Sequence, residues 1–305
     1  MTKHKALIII NPNADLGRAC QKAASLHPIV EKFGGADWVG TVYPTHAIEI
    51  THRAIEDKYE LIIAGGGDGT SHEVINALMQ VPPEIRPKLG IIPLGSGNDF
   101  SHAIGMDPRP EMALQQIFTG QPKSVDIGRM VDEHGRTEYW GNAIGVGFDA
   151  TVTIRSRQFT YLKGFLIYLL AVLQTILLNH EAPRFKIQTD NETFEEDFIM
   201  FVLCNGSREG GGFLVAPNAK PDDGIYEYTA IREVSRMRML RILPEVMKGT
   251  HARLPQIRTG AFHELNIESN LPMIVHMDGE ILAGFDSDLH QFSSEMIPGA
   301  IQVVV

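Results

Sequence analysis

The opening third of the chain alternates short, wholly apolar runs with amphipathic stretches. Ala6 to Ile10 reads as a strand, Leu16 to Phe33 as a helix closed by Gly34-Gly35, and Trp38 to Tyr43 as a second strand. A helix over His46 to Glu56 follows, then a strand over Leu61 to Ala64 and a helix from Gly69 to Met79 that Pro82 and Pro83 stop. Leu89 to Pro93 is a further strand. Strands that are apolar throughout and separated by helices predict a parallel sheet covered on both faces. Beyond about Asp126 the texture changes to period-two alternation between turn residues. Its strands are Phe185 to Thr189, Phe198 to Cys204, Ile225 to Ile231, Leu265 to Glu268 and Met273 to Met277, with helical insertions near Tyr161 to Asn179 and Ser235 to Met247. The expectation is an α/β domain over residues 1–126 and a mainly antiparallel, sandwich-like β domain over 127–296.

Length and composition agree: 305 residues suit two domains, and 44% hydrophobic with 21% charged residues marks a globular chain. A net charge of −10 argues against a general nucleic-acid binder. The charge is uneven, however. Between Ile231 and Arg258 lie Arg232, Arg236, Arg238, Arg241, Lys248, Arg253 and Arg258 against Glu233 and Glu245, which is 7 − 2 = +5 and leaves −15 elsewhere. Two cysteines, Cys20 and Cys204, suggest neither a disulfide scaffold nor a metal knuckle and fit a reducing cytosol. Asn11-Pro12-Asn13 cuts the first apolar run too short for a secretory signal. The other long apolar stretch, Gly164 to Leu178, falls short of the roughly 20 residues of a membrane span and reads as a buried or interfacial helix.

Chemistry concentrates in three places. Gly65-Gly66-Gly67-Asp68-Gly69-Thr70 follows a strand and opens a helix, where consecutive glycines let backbone N–H groups face an anion such as phosphate. A carboxylate there, Asp68, would repel phosphates unless a cation intervenes, and Mg²⁺ suits one or two carboxylates plus phosphate oxygens. Neither the Walker A lysine nor the dinucleotide-binding G-x-G-x-x-G after the first strand is present. A second loop, Pro93 to Phe100, brings Gly95, Ser96, Gly97 and Asn98 to the end of another strand, as ligand contacts or as a helix cap. The third place, Asp278-Gly279-Glu280 between apolar runs, is a hairpin signal, and equally a way for a carboxylate to reach across an interdomain cleft as general base. No H-E-x-x-H or comparable metal spacing occurs among the 12 histidines.

Taken in order, these marks resemble the diacylglycerol kinase catalytic family, especially bacterial lipid kinases related to sphingosine kinases. They are Asn11-Pro12, Gly66 to Thr70 with Glu73 and Asn76, Pro93 to Phe100, Ala216-Pro217-Asn218-Ala219 with Asp223-Gly224, and Asp278-Gly279-Glu280. Gly-Gly-Asp-Gly-Thr alone is shared with NAD kinases and is related to the phosphofructokinase signature; Pro-Leu-Gly-Ser-Gly-Asn-Asp-Phe looks more like the lipid-kinase branch. The resemblance implies ATP and Mg²⁺ as cofactors and a lipid hydroxyl as acceptor, by default that of diacylglycerol. It places nucleotide contacts on Asn11, Pro12, Asn13, Ala14, Asp15, Thr41, Gly66, Gly67, Asp68, Gly69, Thr70, Ser71, His72 and Ser96, and the catalytic carboxylate on Glu280 beside Asp278. It further implies a structural Mg²⁺ held by Asp223 and the carbonyls of Lys220 and Ile225, although Asp222-Asp223-Gly224 reads equally as a plain turn. In the family the last segment, here about residues 297–305, returns to the first domain.

The chain departs from the pattern at several points. Ala14 and Asp15 stand where the family has Ser-Gly, Ser71-His72 replaces an apolar-Asn pair, and Ser101-His102 replaces Ala-Arg. Asp15 adds a negative charge near the expected phosphates and is the one sequence support for a non-catalytic nucleotide or lipid sensor; the other alternative, a soluble-substrate kinase of the NAD-kinase type, has the Asn98-Asp99-Phe100 loop against it. A lipid substrate implies a cytoplasmic enzyme that visits the inner membrane face. Arg236, Arg238 and Arg241 beside Met237, Met239 and Leu240 suit an interfacial helix for such peripheral contact, or a solvated face. Gly164 to Leu178 suits an acyl site, a core helix or a homodimer contact.

Overall fold

The computed structural model describes residues 5–159, 164–179 and 181–305; the first four residues and Tyr161, where the pattern starts the first helical insertion, lie outside them. The fold divides into two units, one running to Ile127 and taking in Gly299–Val305, the other Gly128–Pro298.

The first unit contains β1 (Ala6–Ile10), α1 (Ala14–Gly17), α2 (Ala19–Lys32), β2 (Asp37–Gly40), α3 (His46–Glu56), β3 (Leu61–Gly66), α4 (Asp68–Met79), β4 (Lys88–Pro93), α5 (Asp99–Ala103) and α6 (Pro110–Thr119). The helix expected over Leu16 to Phe33 breaks at Arg18 into α1 and α2. The strands run parallel in the order β4-β3-β1-β2. Because the chain leaves β1 toward one edge and crosses back toward the other, right-handed crossovers place α2 and the pair α3 and α4 on opposite faces. The contacts agree: α3 packs on α4, and α2 packs on α6. Two-sided cover explains why β1 and β3 are buried at every position and apolar throughout. Val303 of the returning segment pairs parallel with Leu89 of β4.

The chain passes into the second unit along β5 (Pro122–Asp132) and leaves it along β15 (Gln291–Val304); between them lie β6 (Thr137–Trp140), β7 (Ala143–Gly147), α7 (Phe148–Ser156), α8 (Phe165–Leu178), β8 (Arg184–Thr189), β9 (Thr193–Cys204), β10 (Tyr226–Arg232), α9 (Arg236–Lys248), β11 (Ile257–Phe262), β12 (Glu264–Ser269), β13 (Val275–Met277) and β14 (Glu280–Ala283). Pairings within that unit are antiparallel, and β9 joins two sheets. The amino-terminal half of β9 pairs with β8, which continues to β12; its carboxyl half lies between β7 and β10.

This geometry corrects the expected alternation in Phe198 to Cys204. Phe198, Phe201 and Leu203 enter the core between the sheets, whereas Ile199, Val202 and Cys204 face α7, α8 and α9, so the strand is buried on both sides and its residues are apolar in succession. Cys204 is wholly buried, and burial pushes its thiol well above the usual range, which leaves it inert. Trp140 stacks on Tyr226 at 4.4 Å and Phe201 on Tyr228 at 5.2 Å, so aromatic rings fill much of the inter-sheet core. Phe201→Ala is expected to lower the unfolding free energy by about 3 to 5 kcal/mol, measured by urea denaturation.

Candidate functional site

The strand order creates a topological switch point between β1 and β3, the place where open α/β sheets bind ligands beyond their strand carboxyl ends. Both loops at that point carry predicted residues. After β1, the Asn11 N–H donates to the Gly65 carbonyl at 2.9 Å, and the Asn11 amide reaches Thr70 Oγ1 at 3.2 Å, so the Asn-Pro turn is fastened to the glycine loop. Asn13 N–H in turn donates to Asn11 Oδ1 at 3.0 Å. After β2, buried Thr41 donates its N–H to the Ile10 carbonyl at 2.8 Å. A Cβ on Gly66 would sit 2.2 Å from Thr70 Oγ1, so that glycine is required by packing.

The loops after β3 and β4 meet directly. A Cβ on Gly95 would lie 2.4 Å from the Gly67 Cα, so two backbones approach where no side chain fits. Asp68 accepts from the Phe100 N–H at 3.1 Å and thereby ties the first loop to the start of α5. Asn98 is held at φ 54°, its amide accepting from Gly95 N–H and donating to the Gly95 carbonyl, each at 2.9 Å. Those bonds give Asn98 a part in shaping the loop, alongside the expected ligand contact. Ser96 and Gly97 stay partly accessible on it, and Gly69 stays partly accessible at the start of α4. Ser71 and His72 are buried, with His72 Nε2 3.2 Å from the Asn76 amide one turn along α4. Glu73 caps α3 from a distance, accepting from Thr45 N–H at 2.9 Å and Ala47 N–H at 3.0 Å. Sequence reading marked Glu73 as a motif residue without finding this role, because the capped helix lies 26 positions or more upstream.

Asp15 does not act as the bare negative charge that its position suggests. It adopts φ 50°, a conformation that favours the glycine of the family pattern, and forms ion pairs with Arg18 at 2.7 Å and Lys22 at 2.9 Å. Burial alone would raise its pKa, but the two cations outweigh it and hold the carboxyl below the ordinary value. Its charge is balanced locally.

In the second unit, Asp278 and Gly279 form the turn between β13 and β14 with φ 49° and 84°, the left-handed pair of a tight hairpin. The buried Asp278 carboxylate accepts from Gly141 N–H at 2.8 Å, Asn142 N–H at 2.7 Å and Ala143 N–H at 3.1 Å. These bonds fix the turn. Glu280, next in the chain but half-exposed, accepts from Arg157 at 2.9 Å, while Arg157 also donates to the Gly279 carbonyl at 3.1 Å.

Beneath the hairpin lies a group that the sequence reading missed. His276 Nδ1 accepts from the Gly279 N–H at 3.4 Å, so Nε2 carries the proton directed at Asp149 Oδ2, 2.6 Å away; Glu209 Oε1 is 3.7 Å from the same nitrogen. Asp149, Glu209 and His276 are metal-ligand types in one place. The 2.6 Å contact is the length of a charge-assisted hydrogen bond, so a proton joins His276 to Asp149. Gly145 lies directly under the pair: a Cβ there would be 2.0 Å from Asp149 Oδ2 and 2.3 Å from His276 Nε2. No spacing rule links positions 149, 209 and 276, and the glycine is the one local signal. The predicted metal residues lie on one turn, Lys220 and Asp223 exposed and Ile225 partly buried, in which Asp223 Oδ1 accepts from Ile225 N–H at 3.3 Å. Burial, and secondarily the charge of Asp223, raises the pKa of nearby Glu227.

A parallel α/β unit with a glycine loop at its switch point is joined in one chain to an antiparallel β-sandwich unit, an architecture suited to holding phosphate groups. Residues 5–130 match the model of the diacylglycerol kinase catalytic domain, and residues 142–305 match that of the YegS C-terminal NAD kinase beta sandwich-like domain. A diacylglycerol kinase of Mycobacterium tuberculosis is 28% identical over 253 residues, covering 82% of this chain and 78% of that one. A probable YegS-like lipid kinase of Shewanella frigidimarina is 32% identical over 257 residues, covering 83% and 78%. A crystal structure of a Bacillus anthracis protein assigned to the diacylglycerol kinases superposes with TM-score 0.81 at 25% identity, over 100% of this chain and 96% of that one. The chain belongs to the diacylglycerol kinase family of lipid kinases, and it is a kinase enzyme.

Replacing Asp278 by Ala leaves three buried N–H groups without their acceptor and is expected to cost about 3 kcal/mol or more. Asp278→Asn, which keeps one acceptor oxygen, is expected to cost less; urea denaturation of both variants measures the difference.

Proposed function

We propose that the enzyme transfers the γ-phosphate of ATP to the hydroxyl of diacylglycerol, giving phosphatidic acid. The observation that carries this reading is the pair of glycine loops closed on each other at Gly67 and Gly95, the first of them at the switch point of a parallel sheet, in a chain of lipid-kinase family. The loops offer backbone N–H groups to phosphate oxygens with no Cβ in the way. Asn11 to Asp15 and Thr41 line the same carboxyl edge, and Ser96 offers a hydroxyl. Asp68 is the residue to hold Mg²⁺, which when bound neutralises charge on the phosphates.

Glu280 accepts the proton of the attacking lipid hydroxyl. Arg157 holds its carboxylate at the turn, and the bonds of Asp278 to residues 141–143 hold the turn itself. The His276 to Gly279 bond braces it from below. Asp223, with the carbonyls of Lys220 and Ile225, would hold a second Mg²⁺, whose charge would offset the lesser of the two causes, after burial, that raise the pKa of Glu227. The balanced charge of Asp15 removes the main support for a non-catalytic sensor. The enzyme works from the cytoplasm and meets its lipid at the inner membrane face.

Incubation with labelled ATP and a total lipid extract, followed by mass identification of the product, tests the substrate; labelled phosphatidic acid is expected, and transfer only to a soluble acceptor would sink the reading. Glu280→Gln is expected to lower kcat by about 10²- to 10⁴-fold with nucleotide affinity unchanged, measured by steady-state kinetics and ATP titration. Mg²⁺ is expected to raise the thermal midpoint of the intact protein, and Asp223→Ala to abolish that rise; a midpoint indifferent to Mg²⁺ counts against the second ion.

A further inference from the structure

Among the described residues, exposed large apolar side chains gather on two helices of the second unit that touch each other, α8 and α9. On α8, Ile167, Ala171, Val172, Thr175 and Ile176 are buried against the core. Leu166, Leu170 and Leu177 face outward, 55%, 40% and 64% exposed, with half-buried Leu173 between them. Their spacing of i, i+4, i+7 and i+11 aligns them in one stripe. No charged residue occurs anywhere from Phe165 to Leu178.

On α9, Met239, Ile242 and Val246 are buried, while Met237, Leu240, Arg241, Pro244, Met247 and Lys248 share the outward face at helical spacing. The structure here revises the +5 segment. Arg232 and Arg258 are bound by Glu196 and Glu192, and Arg253 by Glu245. Within this segment the exposed cations in no ion pair among the described residues are Arg236, Arg238, Arg241 and Lys248, all on α9. They amount to +4, so the rest of the chain carries −14.

We propose that the outward faces of α8 and α9 together form the surface that docks this kinase on an anionic lipid bilayer. The proposal rests on the reading of a lipid substrate and says where that lipid is met. An uncharged leucine stripe suits the acyl boundary, and unpaired guanidinium groups beside exposed methionines suit lipid phosphates at headgroup level. Among the described residues no helix is long and apolar enough to cross a membrane, so the contact is peripheral. A second copy of this chain is the poorer occupant. A two-fold contact through α9 would set Arg236, Arg238, Arg241 and Lys248 against their own copies, whereas a phosphate surface complements them.

The test uses the full chain with vesicles of zwitterionic lipid alone and of a zwitterionic and anionic mixture, by co-sedimentation over a range of salt. Binding is expected to require the anionic lipid and to fall with salt. The triple change Arg236→Ser, Arg238→Ser and Arg241→Ser is expected to weaken it about 100-fold. Changing Leu166, Leu170 and Leu177 to Ser is expected to abolish it; the arginine set keeps the test valid if the leucine set misfolds. Phosphorylation of a short-chain lipid dispersed in detergent is expected to be unchanged by the arginine set. Vesicle binding that ignores lipid charge and survives the arginine set overturns the proposal, as does self-association in analytical ultracentrifugation that the leucine changes abolish. Vesicle binding as expected with no lipid phosphorylated would instead overturn the substrate reading and leave the docking surface standing.

Discussion

The approach of Gly67 to Gly95 is the constraint around which the first unit is organised. The loops of two adjacent parallel strands touch backbone to backbone here because Gly95 has no Cβ: one there would fall 2.4 Å from the Gly67 Cα, while one on Gly67 would sit a tight 3.3 Å from the Gly95 Cα. The same requirement recurs outward, with Gly66 packed over Thr70 and Gly65 over Ile10. Fastening follows from it: Asp68 caps the start of α5, Asn98 clamps its own loop, and Asn11 reaches Thr70. The result is a set of backbone donors whose positions are fixed before any ligand arrives, which is what phosphate recognition by main chain requires.

The second unit solves a related problem with a carboxylate. A two-residue turn in left-handed conformation is strained at a non-glycine residue, and Asp278 occupies such a position. Three buried N–H groups converge on its oxygens and over-determine the turn, so the strain is held where it is. The two carboxylates of Asp278-Gly279-Glu280 are thereby separated in role. One is committed to the backbone and the other is left accessible beside Arg157, a division that environment alone creates.

Charge tells a similar story about neighbourhood. Asp15 looked like a local excess of negative charge and proved to be neutralised within one helical turn on either side of Arg18. The basic segment looked like one patch, yet acidic residues of β9 and its preceding turn bind Arg232 and Arg258, far apart in sequence but adjacent across strands. What remains unpaired is a smaller group on one helix, beside the apolar stripe of another.

The sequence by itself determined the class of both units, the glycine loops and the hairpin, because these rest on local physics: strand burial writes itself as apolar runs, and positive φ or close backbone approach writes itself as glycine. Asp278-Gly279 is legible for the same reason. Only the tertiary structure decided that β9 is buried on both faces, that Glu73 caps α3, that His276, Asp149 and Glu209 meet under the turn, and which arginines stay free. Those facts depend on residues tens or hundreds of positions apart being brought within a few ångströms, and side-chain pairing at that range leaves no period or spacing in the chain.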